Sequence, residues 1–157
     1  MFKVRSLSLK EMNAWISGYA EDLGVSSLID VLEPAEEKII QSERKEADVL
    51  MVFTDIQKDD PASAGIIPGK LLKLLPLGIP ILAIGRKDSD VGKILNKTKT
   101  GFLVSNFEQL NVVMEKMLSG DSMPSPVRDE IQKFSSESQC GKLCCFLDQF
   151  IIKPGSI

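Results

Sequence analysis

Short apolar runs alternate along the chain with segments in which apolar residues recur every three or four positions. The apolar runs predict five strands, at residues 2–8, 27–32, 48–53, 79–85 and 101–104. The other segments have the periodicity of amphipathic helices. They predict helices over residues 9–23, 34–46, 68–75, 89–97, 107–118, 127–135 and 140–152.

Alternating strands and helices predict a parallel sheet with helices on both faces. The run "DVLMVF" at 48–53 is apolar throughout, which is typical of a strand buried on both faces. In such sheets ligands bind beyond the carboxyl ends of the strands, near the point where the strand order reverses. The longest polar loop, 54–65, leaves the carboxyl end of that strand, so we expect a functional site there.

Length and composition limit the classes of protein to consider. The 157 residues suffice for one domain with a core and are too few for two ordinary domains. Apolar residues make up 43% and charged residues 26%, as in soluble globular proteins. The net charge of −3 predicts no nucleic-acid partner, so any anion site must be local. No apolar run approaches the roughly 20 residues that span a bilayer, and the first residues lack the apolar core of a signal peptide.

The cysteine and histidine contents narrow the possible chemistry. Cys140, Cys144 and Cys145 fall in one segment, which argues against a disulfide framework and for a reducing, cytoplasmic location. A two-thiolate metal site at Cys140 and Cys144 and simple core packing both fit their spacing, and packing is favoured. Trp15 and Tyr19 are likewise expected in the core. The absence of histidine excludes Ser-His-Asp and Cys-His catalysis.

The most informative stretch is "GIIPGKLLKLLPLGIPILAIG" at residues 65–85. Pro68 suits the first turn of a helix, where its missing N–H costs nothing, and Gly65 and Gly69 let another group approach the backbone. Free N–H groups at a helix start can hold a phosphate, and Lys70 adds a full positive charge. These residues describe a small anion site suited to a diphosphate. A loop that merely enters a helix, with Lys70 in solvent, also fits and is favoured by spacing alone.

This stretch resembles the donor-side motif of the GT-B glycosyltransferases, in the family-4-like group that transfers sugars from nucleotide-sugars. The family pattern, roughly G-x-I-P-G-K-L-F-E-Y-L-A-x-G-x-P-I-L-A-I, lies on residues 65–85 without gaps. Outside it, "EADVLMVF" at 46–53, "TKTGFLV" at 98–104 and residues 127–150 resemble two strands and the closing helices of the same domain. The resemblance covers most of residues 24–152 and lacks the family's first strand with its glycine-rich turn.

The resemblance implies one Rossmann-like domain over residues 1–157. Its doubly wound parallel sheet would have five strands in the order 2-1-3-4-5, followed by C-terminal helices. It implies sugar transfer from a UDP- or GDP-sugar in polysaccharide or glycoconjugate synthesis, without a cofactor or an essential protein-bound metal. Further implied partners are a missing N-terminal acceptor domain or a second copy of the chain, and peripheral association of the full enzyme with the cytoplasmic face of a membrane. As a lone chain it should not catalyse transfer at a useful rate, because positioning the acceptor against the donor supplies much of the rate.

The resemblance also assigns site residues, all with binding roles and none catalytic. Lys73 takes the position of a family glutamate that accepts hydrogen bonds from the nucleotide ribose. An ammonium only donates, so Lys73 marks the ribose position without performing the glutamate's role, and it either meets phosphate or faces solvent. The expected donor- and phosphate-binding residues are Gly65, Ile67, Pro68, Gly69, Lys70 and Lys73.

Two other functions fit parts of the sequence. A response-regulator receiver would place its phospho-accepting aspartate at Asp55, but the acidic pair after the first strand and the lysine after the last strand are absent. A non-catalytic interaction module derived from the same fold would suit Lys73 and the C-terminal helix. Asp55, Asp59 and Asp60 would be enough for a metal site, although a solvated loop is the favoured interpretation.

Overall fold

The computed structural model describes residues 1–5, 10–54, 65–120 and 123–150. These residues form strands and helices in the segments predicted for each type. The strands are β1 (Phe2–Arg5), β2 (Ile29–Leu32), β3 (Leu50–Phe53), β4 (Ile81–Ile84) and β5 (Gly101–Val104). The helices are α1 (Lys10–Asp22), α2 (Glu37–Lys45), α3 (Gly69–Leu74), α4 (Asp90–Thr98), α5 (Phe107–Ser119), α6 (Arg128–Gln132) and α7 (Ser136–Asp148).

The strand pairs of the described residues are all parallel, but they form two sheets. β1 pairs with β2, with Phe2 opposite Ile29. β4 lies between β3 and β5, so that Leu50 faces Ile81 and Ile81 faces Gly101. The expected mixed α/β class with parallel strands is confirmed, whereas a continuous five-stranded sheet is not present in the described residues. Each of these pairs joins strands that are consecutive in the chain and are linked by one crossover segment.

The chain divides into two compact units, Met1–Arg44 and Lys45–Ile157. In the first unit, Ala20 is the one fully buried apolar side chain among the described residues. Arg5 on β1 forms a bidentate ion pair with Glu43 on α2, at 2.5 and 3.2 Å, and also donates to the carbonyl oxygen of Glu33. The first unit is therefore held by polar contacts around a small core. A single domain over residues 1–157 stays a prediction.

The core of the second unit is built around β4. Ile81 and Ala83 are completely buried and contact apolar side chains from the flanking helices. Ile131 on α6 and Phe134 after it pack against the same cluster. The helical members of this core that are at most 1% exposed are Leu71, Leu75, Val91 and Leu95.

β3 differs from the strand that its sequence predicts. Its apolar run predicts burial on both faces, but only Leu50 and Val52 are buried, and Met51 and Phe53 are exposed. Successive side chains of a strand point to opposite faces, so one face of β3 is uncovered. The prediction of two buried faces is wrong for β3. It is β4 that has both faces covered, and a strand pairs with each of its edges. A continuous apolar run does not distinguish these two positions in a sheet.

Four further side chains lie at the surface although core packing is expected for them. Trp15 and Tyr19 on α1 are 65% and 55% exposed. Cys140 and Cys144 on α7 are also exposed, as free thiols. The prediction is wrong for all four, because helical periodicity shows that a helix has an apolar face but not whether anything covers it.

Replacing Gly101 tests the close approach of β5 to β4. A methyl group at this position would overlap the backbone of Ile81. We expect Gly101→Ala to lower the free energy of unfolding by about 1–3 kcal/mol, the usual cost of overpacking, as measured by urea unfolding followed by circular dichroism.

Gly141→Ala on α7 is the matched control, because a methyl group there has no neighbour within 4 Å. Alanine is the better helix former, so this control should gain up to about 1 kcal/mol. Unchanged stability of Gly101→Ala would contradict the strand approach described here.

Candidate functional site

The segment expected to bind a diphosphate lies between β3 and β4, at the start of α3. Pro68 precedes the helix in an extended conformation, with φ −60° and ψ 128°, and Gly69 and Lys70 are the first helical residues. Because proline has this φ in any conformation, it prepares the chain for the helix that follows. The helix predicted over 68–75 is confirmed, and Pro68 stands immediately before its first turn.

The far end of α3 is also set by local sequence. A 3₁₀ turn over Leu75–Leu77 follows the helix, and Pro76 lies within it. Gly78 then adopts a left-handed conformation with φ 72°, which favours glycine, and leads the chain into β4. Proline and glycine therefore limit α3 to a short helix between two strand ends.

The start of α3 is not closed by a side chain. Pro68 offers no side-chain acceptor, and its carbonyl oxygen accepts from the N–H of Leu71 at 2.9 Å. No side chain of the described residues accepts a capping hydrogen bond from the N–H groups of Gly69 and Lys70. Such groups carry partial positive charge. Since α3 has only six residues, this charge is small, and the ammonium of Lys70 is the stronger attraction for an anion.

The six residues expected from the sequence form one continuous surface segment. The helix is fixed from below by Leu71 and Leu74, which are buried in the core. Lys73 lies in the last turn of α3, where the helix dipole stabilises a cation, and not at the helix start. Pro68 is half-buried, and the exposed members are Gly65, Ile67, Gly69, Lys70 and Lys73.

A second group of polar side chains stands at the start of α4, and sequence reasoning missed it. The buried Ser89 caps this helix, its Oγ accepting from the N–H of Val91 at 3.1 Å. Asp90 forms an ion pair with Lys93 at 2.6 Å. The other carboxylate oxygen of Asp90 lies beside Gly65, 3.9 Å from where a Cβ would stand. The segment before α3 and the start of α4 are therefore neighbours.

The charged side chains around the loop between β4 and α4 form ion pairs with each other. A hydrogen bond to Asp90 raises the pKa of Lys93. Hydrogen bonds from Arg86 lower the pKa of Asp88, whose two oxygens accept at 3.0 and 2.8 Å. Because these carboxylates already have cationic partners, the negative charge of Asp90 near Gly65 is offset by Lys93.

A groove of about 680 Å³ opens beside β5, between α4 and α5. Phe102 and Leu103 from β5 and Val112 from α5 give it an apolar lining, and Ser89 and Lys93 add polar groups from α4. None of the six expected residues lines this groove. It is therefore distinct from the start of α3, although Lys93 contacts Asp90 and so links the two places.

Ligands of parallel sheets bind beyond the carboxyl ends of the strands, and this rule could have indicated Asp90 and Lys93. Both residues follow the carboxyl end of β4, just as the expected segment follows that of β3.

The acidic residues Asp55, Asp59 and Asp60 lie outside the described residues. Within the described ranges, no group of three or more histidine, cysteine, aspartate or glutamate side chains is placed to hold a metal. None of the helices in this part of the chain combines the length and apolarity needed to cross a membrane.

No family model, no curated protein and no solved structure matches this chain. The resemblance to a GT-B donor domain therefore rests on the residues themselves, above all on 65–85. The described chemistry of the site is that of a helix start without a side-chain cap and two lysines, with the carboxylate of Asp90 beside Gly65.

The cap of α4 is testable by removing the Ser89 hydroxyl. We expect Ser89→Ala to lower the free energy of unfolding by about 0.5–2 kcal/mol, because the N–H of Val91 would lose its acceptor in a buried place. Chemical denaturation measures the change. Ser17→Ala, at an exposed position within α1, is the control and should not destabilise the protein. An equal effect of the two substitutions would mean that the cap contributes nothing.

Proposed function

We propose that this chain is the donor-binding part of a GT-B-type glycosyltransferase, which holds the diphosphate of a UDP- or GDP-sugar at the start of α3. The observation that carries the proposal is the uncapped helix start at Gly69 with the exposed Lys70, following the carboxyl end of a parallel strand. Backbone N–H groups and an ammonium are the donors that phosphate oxygens need. The complete enzyme would act in polysaccharide or glycoconjugate synthesis at the cytoplasmic face of a membrane.

The finer fold belongs to the same proposal, namely a Rossmann-like sheet in the order 2-1-3-4-5. Three of the four neighbour pairs in that order, β1–β2, β3–β4 and β4–β5, are the pairs that the described strands form. All are parallel, as a doubly wound sheet requires.

The charges near the helix start favour an anion over a neutral ligand. Lys70 has no ion-pair partner among the described residues, and the nearby carboxylate of Asp90 is already paired with Lys93. With no catalytic base assigned and the acceptor domain missing from the resemblance, the chain binds donor and does not transfer sugar by itself.

The proposal predicts that Lys70→Ala weakens binding of nucleoside diphosphates. UDP, GDP and inorganic pyrophosphate are titrated into the isotope-labelled full chain, and amide shifts are followed at residues 65–73. Loss of one charge-assisted hydrogen bond, worth about 1.5–3 kcal/mol, corresponds to at least tenfold weaker binding. Lys142→Ala, which removes the same charge from the exposed face of α7, should bind as the wild type does. Absence of shifts in the wild-type chain at millimolar ligand would refute the donor site.

Lys73 allows a second test of how the nucleotide lies. If the donor's ribose lies over the last turn of α3, Lys73→Glu supplies the acceptor that the resemblance implies at this position. The ratio of UDP affinity to pyrophosphate affinity should then rise about tenfold, because hydrogen bonds to a charged acceptor contribute about 1.5–3 kcal/mol. Lys73→Met removes the ammonium without adding an acceptor and should leave that ratio unchanged. A fall of the ratio in Lys73→Glu would place the ribose elsewhere.

A non-catalytic interaction module is the second candidate function. The observation that favours it is the exposed apolar surface on α1 and α7, where Trp15, Tyr19, Phe146 and Leu143 are each more than half exposed. Such a module would show no nucleotide-dependent shifts in the titration above. The receiver-like alternative depends on Asp55, which lies outside the described residues, and nothing described favours it.

A further inference from the structure

One side of α1 carries an apolar surface that does not belong to the core of the first unit. Met12, Trp15 and Tyr19 on α1 and Leu23 directly after it, here termed the outer face of α1, recur every three or four residues and are 45%, 65%, 55% and 58% exposed. The rings of Trp15 and Tyr19 stack in parallel, with centroids 5.6 Å apart and planes 7° from each other. The outer face is thus an exposed apolar surface, with the carboxylate of Asp22 next to it at the end of the helix.

The inner side of α1 is a different set of residues. Ala20 is buried, and Asn13 and Ile16 are half-buried, at the spacing of one helix face turned towards β2. The core of the first unit is therefore made without the outer face. Large aromatic side chains left on a surface in this way mark an interaction site.

The small size of the first unit suggests that burying its exposed apolar face would stabilise it. Units of about 40 residues bury too little surface to be stable and usually depend on disulfides, metals or association. The first unit contains no cysteine, and its described residues hold no metal-binding cluster. Association through an exposed apolar face is a further means of stabilisation.

We propose that the outer face of α1 pairs with the same face of a second copy of this chain, across a twofold axis. The exposed parts of the four side chains amount to about 500 Å² per copy, given side-chain areas of about 150–250 Å² for aromatic residues. Complete burial of these parts in two copies would remove about 1,000 Å² from solvent, which is the lower limit for a specific interface, so we expect a weak dimer. An isologous contact of this kind needs no surface other than the one described.

Repulsion between the acidic residues at the end of α1 favours an antiparallel arrangement of the two helices. Glu21 and Asp22 are exposed in its last turn. Parallel helices would bring these carboxylates of both copies together, and like charges at such a distance repel. Antiparallel helices separate them and bring Trp15 of one copy towards Tyr19 of its partner. The interface would then be centred on four aromatic rings.

The test uses the fluorescence of Trp15, the only tryptophan of the chain. The full chain is studied from about 1 to 200 µM by analytical ultracentrifugation and by tryptophan emission. We expect a monomer–dimer equilibrium with a micromolar Kd, and an emission shift to shorter wavelength that follows the same concentration curve.

Two substitutions distinguish this interface from non-specific association. Tyr19→Ser keeps the tryptophan reporter and should weaken dimerisation at least tenfold, while far-ultraviolet circular dichroism remains unchanged. Phe146→Ser removes an equally exposed aromatic ring from α7 and should dimerise as the wild type does.

Four results would overturn the proposal. The chain could stay monomeric throughout, or form a dimer without a shift of Trp15 emission. Equal weakening by Tyr19→Ser and Phe146→Ser would show that the association is not specific to α1. A shift caused by phosphatidylcholine vesicles at concentrations where the chain is monomeric would identify a lipid surface, and not a second copy, as the partner.

Discussion

The second unit depends on the complete burial of β4. Ile81, Leu82 and Ala83 are at most 1% exposed, so both faces of this strand are covered while β3 and β5 occupy its two edges. A fully buried leucine or isoleucine contributes about 1.5–3 kcal/mol. β5 can come close enough to complete this arrangement only because residue 101 is a glycine. With β4 fixed, the carboxyl ends of its neighbours are fixed with it, and Gly65 in the segment before α3 lies beside Asp90 at the start of α4.

The candidate site follows from this position in the fold and from backbone chemistry. Its main donors are N–H groups at the start of α3 and the ammonium of Lys70, which can bind and orient an anion. The ion pair between Asp90 and Lys93 offsets the negative charge that Asp90 places near Gly65.

Burial is distributed unevenly between the two units, and this bears on the partners of the chain. The second unit has a core of completely buried side chains, whereas Ala20 is the one buried apolar residue among those described in the first unit. The first unit instead exposes the outer face of α1 and ties β1 to α2 through Arg5 and Glu43. Polar ties of this kind contribute modestly when partly solvated. Association at that face would therefore stabilise the first unit more than the second.

The sequence by itself determined the types and order of the elements and the limits of α3, because Pro68, Pro76 and Gly78 restrict the backbone locally wherever they occur. It also indicated the six surface residues of the candidate site, since these are consecutive or nearly so. Only the tertiary structure decided which strands share a sheet, that β4 and not β3 has both faces covered, and that Asp90 stands beside Gly65. These features depend on contacts between residues far apart in the chain. Periodicity shows which side of an element is apolar, but what covers that side, as the exposed rings of α1 illustrate, is set by packing.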